Sequence, residues 1–239
     1  MLDARESGAA GTGRAFRGVI TDWGGVMTNP IPGTVRAWLD AENIDYESYA
    51  AVMRPWIVSA YEPGDVTHDA AAGVNPVHAL ERGECTVEEF EHLLASLLVC
   101  RDGTPVAADG LLARMFAGSA PCDPMFGVIY AARGAGLRTG LLSNSWGVSD
   151  YPRHLFPDLF DAVVISAEVG MRKPEERIFL HAAELIGLDP ADCVFIDDIE
   201  VNVTAAEAVG MTAVLHREPE ETAARLGDLL GLPGGGQQR

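Results

Sequence analysis

Four short apolar runs, each ending in a chemically useful polar residue, constrain this chain more than any other feature of its sequence. Val19-Ile20-Thr21 reads as a buried strand and stops at Asp22, which Gly24 and Gly25 follow at a sharp turn. Arg138-Thr-Gly-Leu-Leu142 delivers Ser143 and Asn144, and Asp161-Ala-Val-Val-Ile165 leads into a loop ending at Arg172-Lys173-Pro174. Cys193-Val-Phe-Ile196 delivers Asp197 and Asp198. In an open parallel α/β sheet the loops at the carboxyl ends of the strands share one crevice. Such a crevice would gather three acids, a hydroxyl, an amide and a lysine. Each piece also has an ordinary reading taken alone: Asp-x-Gly and Ser-Asn are common turn formers.

Helical patterns alternate with these strands. Asp123-Pro124 reads as an N-cap with proline in the first turn, and Gly134 and Gly136 end that helix. Pro174 opens a helix through Ile178, Phe179, Ala182, Leu185 and Ile186, and Gly187 stops it. A further helix from about Val201 ends at Gly210, before a fifth strand, Thr212-Ala-Val-Leu215. A last helix covers about Glu220 to Leu230. The expected fold class is α/β, a doubly wound parallel sheet covered on both faces.

Residues 29–118 break the alternation, with no second convincing buried strand. Thr34–Glu42 and Asp45–Ser59 have mixed helical spacing, the second interrupted by Pro55. Thr86-Val-Glu-Glu89 before Phe90, Leu93, Leu94, Leu97 and Leu98 is a capping box leading into an amphipathic helix. The expected division is therefore a leader at 1–15, a core from 16–28 and 119–232, a helical insertion at 29–118 and a frayed tail at 233–239. The leader's Gly8-Ala-Ala-Gly-Thr-Gly13 lacks the Lys-Ser/Thr of a phosphate loop.

Charge limits the partners. The formal net charge is −18, a field that repels nucleic acid and anionic lipid, so an anionic ligand must meet a local positive site. Lys173 is the only lysine beside sixteen arginines. Its compact ammonium suits a place between a carboxylate and a phosphoryl oxygen, whereas a surface lysine at a helix start would oppose the helix dipole. The four cysteines have no zinc spacing, no apolar run is long enough to cross a bilayer, and no signal-peptide pattern opens the chain. The expectation is a cytoplasmic protein with reduced cysteines. The sequence leaves monomer and homodimer undecided.

The chain resembles the haloacid dehalogenase superfamily. Asp22-Trp-Gly-Gly-Val matches its nucleophile motif, Leu142-Ser143-Asn144 its hydroxyl motif, Gly170-Met-Arg-Lys173-Pro its lysine motif and Phe195-Ile-Asp197-Asp198 its acidic motif. All four stand in the family's order. The resemblance implies a Rossmann-like core whose helical insertion is a cap, and a Mg²⁺-dependent attack by Asp22 on a small phosphorylated substrate. It implies a metal site from Asp22, the Gly24 carbonyl, Asp198 and Asp197, and phosphoryl contacts from Ser143, Asn144, Lys173 and main-chain N–H groups near Gly25. Asn202 either supports the acidic loop or caps the next helix.

One departure has a mechanistic cost. The family's phosphatases usually carry a second Asp where this chain has Gly24, and general acid–base assistance is worth about 10²–10⁴-fold. The outcome is a slow phosphatase, a substrate with an undemanding leaving group, or a proton donor from the cap, with His68 and His78 as candidates. Trp38, Trp56, Tyr61 and Trp146 either line a pocket or pack. Carbon–halogen cleavage on Asp22 and a non-catalytic phospholigand-binding role are the rival readings. Phosphonate cleavage through a cap lysine is excluded, because 29–118 contains none.

Overall fold

A computed structural model describes residues 15–61, 75–147 and 151–232. Five strands, β1 (Gly18–Thr21), β2 (Arg138–Ser143), β3 (Ala162–Ile165), β4 (Cys193–Asp197) and β5 (Thr212–Leu215), form one sheet in the order β3-β2-β1-β4-β5. Every pairing is parallel, and Ile20 stands opposite Gly140 on one side and Phe195 on the other.

Two-residue periodicity explains why the strands are apolar throughout. Val19, Leu141 and Val194 face one layer, while Ile20, Leu142 and Phe195 face the other. The first layer contains α6 (Asp123–Gly134), α7 (Phe156–Leu159) and α11 (Pro219–Leu230), through Met125, Ile129, Phe156 and Leu226. The second contains α9 (Glu176–Leu185) and α10 (Glu200–Ala208), through Ile178, Phe179, Val203 and Ala206.

Chain order places the functional end. The path builds outward from β1 to β2 and β3, then returns to set β4 against the other flank of β1. Loops leaving β1 and β4 therefore diverge, and the crevice between them is where such sheets receive ligands.

The described residues of 31–115 form a helical layer with its own core. It comprises α1 (Ile31–Ala41), α2 (Tyr46–Tyr61), α3 (Pro76–Glu81), α4 (Val87–Leu97) and α5 (Leu111–Met115). Val35, Leu39, Met53, Leu80, Phe90, Leu94 and Leu111 fill it. The Thr86–Glu89 capping box is present in both directions: Glu89 N–H donates to Thr86 Oγ1 at 3.1 Å, and Thr86 N–H to Glu89 Oε2 at 2.8 Å. The chain enters and leaves this layer through one neck, where Thr28 bridges Pro121 and Asn29 N–H bonds Ala120 O at 2.9 Å.

Two local expectations change. α2 runs continuously through Pro55 instead of breaking there. Pro55 and Ala51, whose carbonyl loses its i+4 donor, both lie on the exposed face, so water can replace the missing bond. The N-cap position of α6 is Cys122, which makes Asp123 the first helical residue and puts its charge at the favourable end of the dipole. A short helix not expected from sequence, α8 (Ser166–Val169), follows β3. The four cysteines are free, and among the described residues no helix is long and apolar enough to cross a membrane.

Candidate active site

Asp22 extends β1, donating its N–H to Ile196 O at 2.9 Å, so its side chain emerges beside the end of β4. The chain then turns tightly: Met27 N–H returns to Trp23 O at 2.9 Å, and Gly25 N–H is held by Thr28 Oγ1 at 3.0 Å. Gly25 has φ +75°, and a Cβ there would fall 2.4 Å from Asp198 Oδ2. Only glycine lets the acidic loop lie directly on the turn. Gly24 is different, since a Cβ there would meet nothing nearer than Ile31 at 3.5 Å.

Lys173 joins the two acid-bearing strands. Its Nζ lies 2.9 Å from Asp22 Oδ1 and 2.6 Å from Asp197 Oδ2, and the side chain is 1% exposed. Asp197 is fully buried and heavily engaged: it also accepts from Ile199 N–H at 2.8 Å and from Asn202 Nδ2 at 3.1 Å on both oxygens. Asn202 therefore supports the acidic loop and does not cap α10, in whose first turn it sits.

Two residues expected to face the substrate have partners of their own. Asn144 Nδ2 donates to Lys173 O at 3.0 Å, and Asn144 Oδ1 accepts from Lys173 N–H at 2.8 Å. This amide thereby positions the backbone of the lysine while still bordering the cavity. Ser143 Oγ is 2.8 Å from the Tyr151 hydroxyl, and both border the cavity over Asp22.

Sequence reasoning missed Glu81, Arg172 and Tyr151. Glu81, in α3 and 0% exposed, accepts from Arg172 Nε at 2.6 Å, Trp146 Nε1 at 3.1 Å and Asn144 Nδ2 at 3.4 Å. Alongside it, Arg82 pairs with Glu175 at 2.5 Å, and Gly83, at φ +70°, passes so close to Ala167 O that a Cβ would lie 2.6 Å away. The helical layer is thus fastened to the sheet next to Lys173. Nothing in the sequence flagged these residues, apart from the place of Arg172 beside the lysine.

Other candidates separate cleanly. Trp146 lines the cavity and packs edge-on to Phe90 and Phe116, while Trp38 and Trp56 belong to the helical core and its packing. His78 is buried and is not among the lining residues; His68 and the Tyr61 side chain lie outside the described residues.

Electrostatically the site has too few cations. Asp22, Asp197 and Asp198 can bring carboxylate oxygens within 4.8 Å of one another, against one ammonium. Burial pushes Asp22 up to about 7; Lys173 pulls it back, but Asp197 and Asp198 push it further up. Asp198 rises to about 6 through burial and Asp197. Lys173 is disfavoured by burial, yet Asp197 and Asp22 outweigh that and hold it protonated. Hard oxygen donors with surplus negative charge fit a divalent cation such as Mg²⁺, with Asp22, Asp198 and the Gly24 carbonyl as the groups that would hold it.

A parallel sheet with a carboxylate at its switch point, a lysine against it and further acids beside it is an arrangement suited to hydrolytic chemistry. The pattern described as haloacid dehalogenase-like hydrolase matches residues 16–210, and the chain belongs to that family. It is 30% identical over 223 residues to mouse acyl-CoA dehydrogenase family member 10, covering 92% of this chain but only 20% of that relative's length. It is 30% identical over 156 residues to the sesquiterpene phosphatase astK of Aspergillus oryzae, covering 63% of this chain and 77% of that one. Among solved structures, a HAD family enzyme of Bacteroides thetaiotaomicron in complex with magnesium and inorganic phosphate superposes with TM-score 0.56 at 22% identity, covering 85% of this chain and 95% of that chain.

Proposed function

We propose that the protein is a Mg²⁺-dependent phosphomonoesterase acting on a small phosphorylated molecule, with Asp22 as nucleophile and the helices of 31–115 as its cap. The observation that carries this reading is the placement of Lys173 Nζ 2.9 Å from Asp22 Oδ1 in a buried site that still has surplus negative charge. Without a second cation Asp22 is pushed to about 7, which leaves much of the nucleophile protonated at neutral pH. A divalent ion held by Asp22, Asp198 and Gly24 O would offset the repulsion between carboxylate and phosphoryl dianion.

In this mechanism an Asp22 oxygen attacks phosphorus while the bond from phosphorus to the ester oxygen breaks. The leaving oxygen takes a proton from solvent water, a water attacks the aspartyl-phosphate at phosphorus and gives up its proton to solvent, and inorganic phosphate departs with the Asp22 carboxylate restored. Lys173 donates to Asp22 and to the phosphoryl oxygens, Ser143 Oγ turns from Tyr151 to the same group, and Asn144 and Asp197 keep the lysine in place. Cleavage of carbon–halogen bonds needs no metal, so the surplus acids argue against it.

Phosphate release from a panel of phosphomonoesters with and without Mg²⁺ tests the proposal. Release that requires Mg²⁺ and disappears in Asp22→Asn is expected. Halide release from 2-haloacids without metal, or phosphate release unchanged in Asp22→Asn, would overturn it.

A further inference from the structure

The cavity above Asp22 has a volume of about 520 Å³, the size of a site for a whole small molecule rather than for a phosphoryl group alone. Its outer wall, facing the acid–lysine cluster, comes from the helical layer: Ile31, Val35, Tyr49, Ile57, Met115 and Phe116. Trp23 and Trp146 close it from the sheet side. Burial pushes the Tyr49 hydroxyl up to about 12, which marks this wall as poorly solvated.

Polar groups that would recognise a sugar, a nucleotide or a second anion are scarce. Among the described lining residues Lys173 is the only cation, and it is paired with Asp22 and Asp197. Glu81 is spent on Arg172 and Trp146, Asn144 on Lys173, and Asn202 Nδ2 on Asp197, which leaves Asn202 Oδ1 and the Ser119 hydroxyl as the neutral polar groups beside the apolar wall. Thr28 Oγ1 accepts from Gly25 N–H and donates to Asn29 O. At the edge of the cavity Ile57 is 36% exposed, an apolar side chain where a polar recognition group would be expected for a hydrophilic substrate.

Building on the proposed phosphatase reading, we infer that the substrate is the monophosphate of an uncharged, hydrocarbon-rich alcohol, whose apolar body lies against the helical layer while its phosphate meets Asp22 and Lys173. Burying each additional methylene of such a leaving group adds about fourfold to transition-state affinity until the wall is covered. A polar or doubly anionic leaving group gains nothing and loses its hydration.

The test compares ethyl, butyl, hexyl and octyl phosphate with glucose 6-phosphate and AMP in the Mg²⁺-loaded full chain. In parallel, calorimetry measures binding of the non-hydrolysable ethyl, butyl, hexyl and octyl phosphonates. The inference predicts that kcat/KM rises by about fourfold per methylene along the alkyl series, that phosphonate affinity rises in step, and that Ile57→Arg, at an exposed position that does not threaten folding, flattens both slopes. No turnover of any ester, combined with chain-length-dependent phosphonate binding, would remove the phosphatase reading and leave the apolar site standing. A flat or falling series in both assays, or preference for glucose 6-phosphate or AMP, would overturn the inference itself.

Discussion

Asn144 and Lys173 grip one another through two hydrogen bonds, the Asn144 amide donating to the Lys173 carbonyl at 3.0 Å and its oxygen accepting from the Lys173 N–H at 2.8 Å. A side chain at the end of β2 thereby fixes the backbone from which the ammonium reaches Asp22. Asn144→Asp removes the donor and adds a fourth acid near the cluster. The expected result is a fall in kcat of about tenfold or more with KM little changed, since positioning of a group that acts in the transition state is lost. Steady-state kinetics on one phosphomonoester reads both parameters.

Charge alone will not substitute for the lysine. Lys173 is 1% exposed, sits between two carboxylates and lies 5.7 Å from the centre of the Phe195 ring. A planar guanidinium has neither the space nor the point geometry for that position. Lys173→Arg is expected to retain less than about 1% of activity, a loss of about 3 kcal/mol in transition-state stabilisation. Near-normal turnover would mean that the lysine is incidental.

The strand ends were legible in the sequence because each apolar run stops at its functional residue: Thr21 before Asp22, Leu142 before Ser143, Ile196 before Asp197. A parallel sheet needs no more than that to gather them. What stayed hidden depends on contacts between distant segments. Arg172 and Glu81 are 91 residues apart, in a loop and in a helix of the insertion, and no local pattern announces a buried pair. Tyr151 reaches Ser143 from a loop without periodicity. Helix α2 outlasts its proline because the freed carbonyl faces outward, which depends on the layer's packing and cannot be read from spacing alone.

The Glu81–Arg172 pair makes the helical layer's attachment measurable. With side chains 0% and 2% exposed, each charge depends on the other, and removing one partner of such a pair costs about 3–5 kcal/mol. Arg172→Ala is expected to lower stability by that amount in urea unfolding. Glu81→Gln, which keeps shape and the Trp146 acceptor, is expected to cost less.

On the proposed reading, Asp22 and Asp198 make stability depend on pH and Mg²⁺ together. Both acids titrate higher in the folded, metal-free protein, Asp22 moving from 3.8 to about 7. Between those values the folded state binds more protons than the unfolded state, so stability falls as pH rises through the window. The metal-free protein should therefore lose thermal stability between about pH 4 and 7. Mg²⁺ should restore it most at pH 8, where the ligands are ionised, and least at pH 5. Calorimetry at several pH values, with chelator or with Mg²⁺, checks both slopes.

Gly24 and Gly25 should respond oppositely. Gly25→Ala forces a Cβ toward Asp198 at a positive φ, and is expected to abolish Mg²⁺ binding and activity. Gly24→Asp has room for its Cβ and supplies the acid whose absence sets this chain apart. It is expected to raise kcat by up to about 10²-fold on esters with poor leaving groups and to have little effect on good ones.

The most direct measurement is to trap the reaction between its two halves. Rapid quenching of enzyme, Mg²⁺ and a good phosphomonoester, followed by borohydride reduction and peptide mass analysis, should convert Asp22 to homoserine in wild type. In Asp22→Asn it should leave the same peptide unmodified and phosphate release absent. An unmodified Asp22 in wild type, together with undiminished turnover by Asp22→Asn, would contradict the account at its centre.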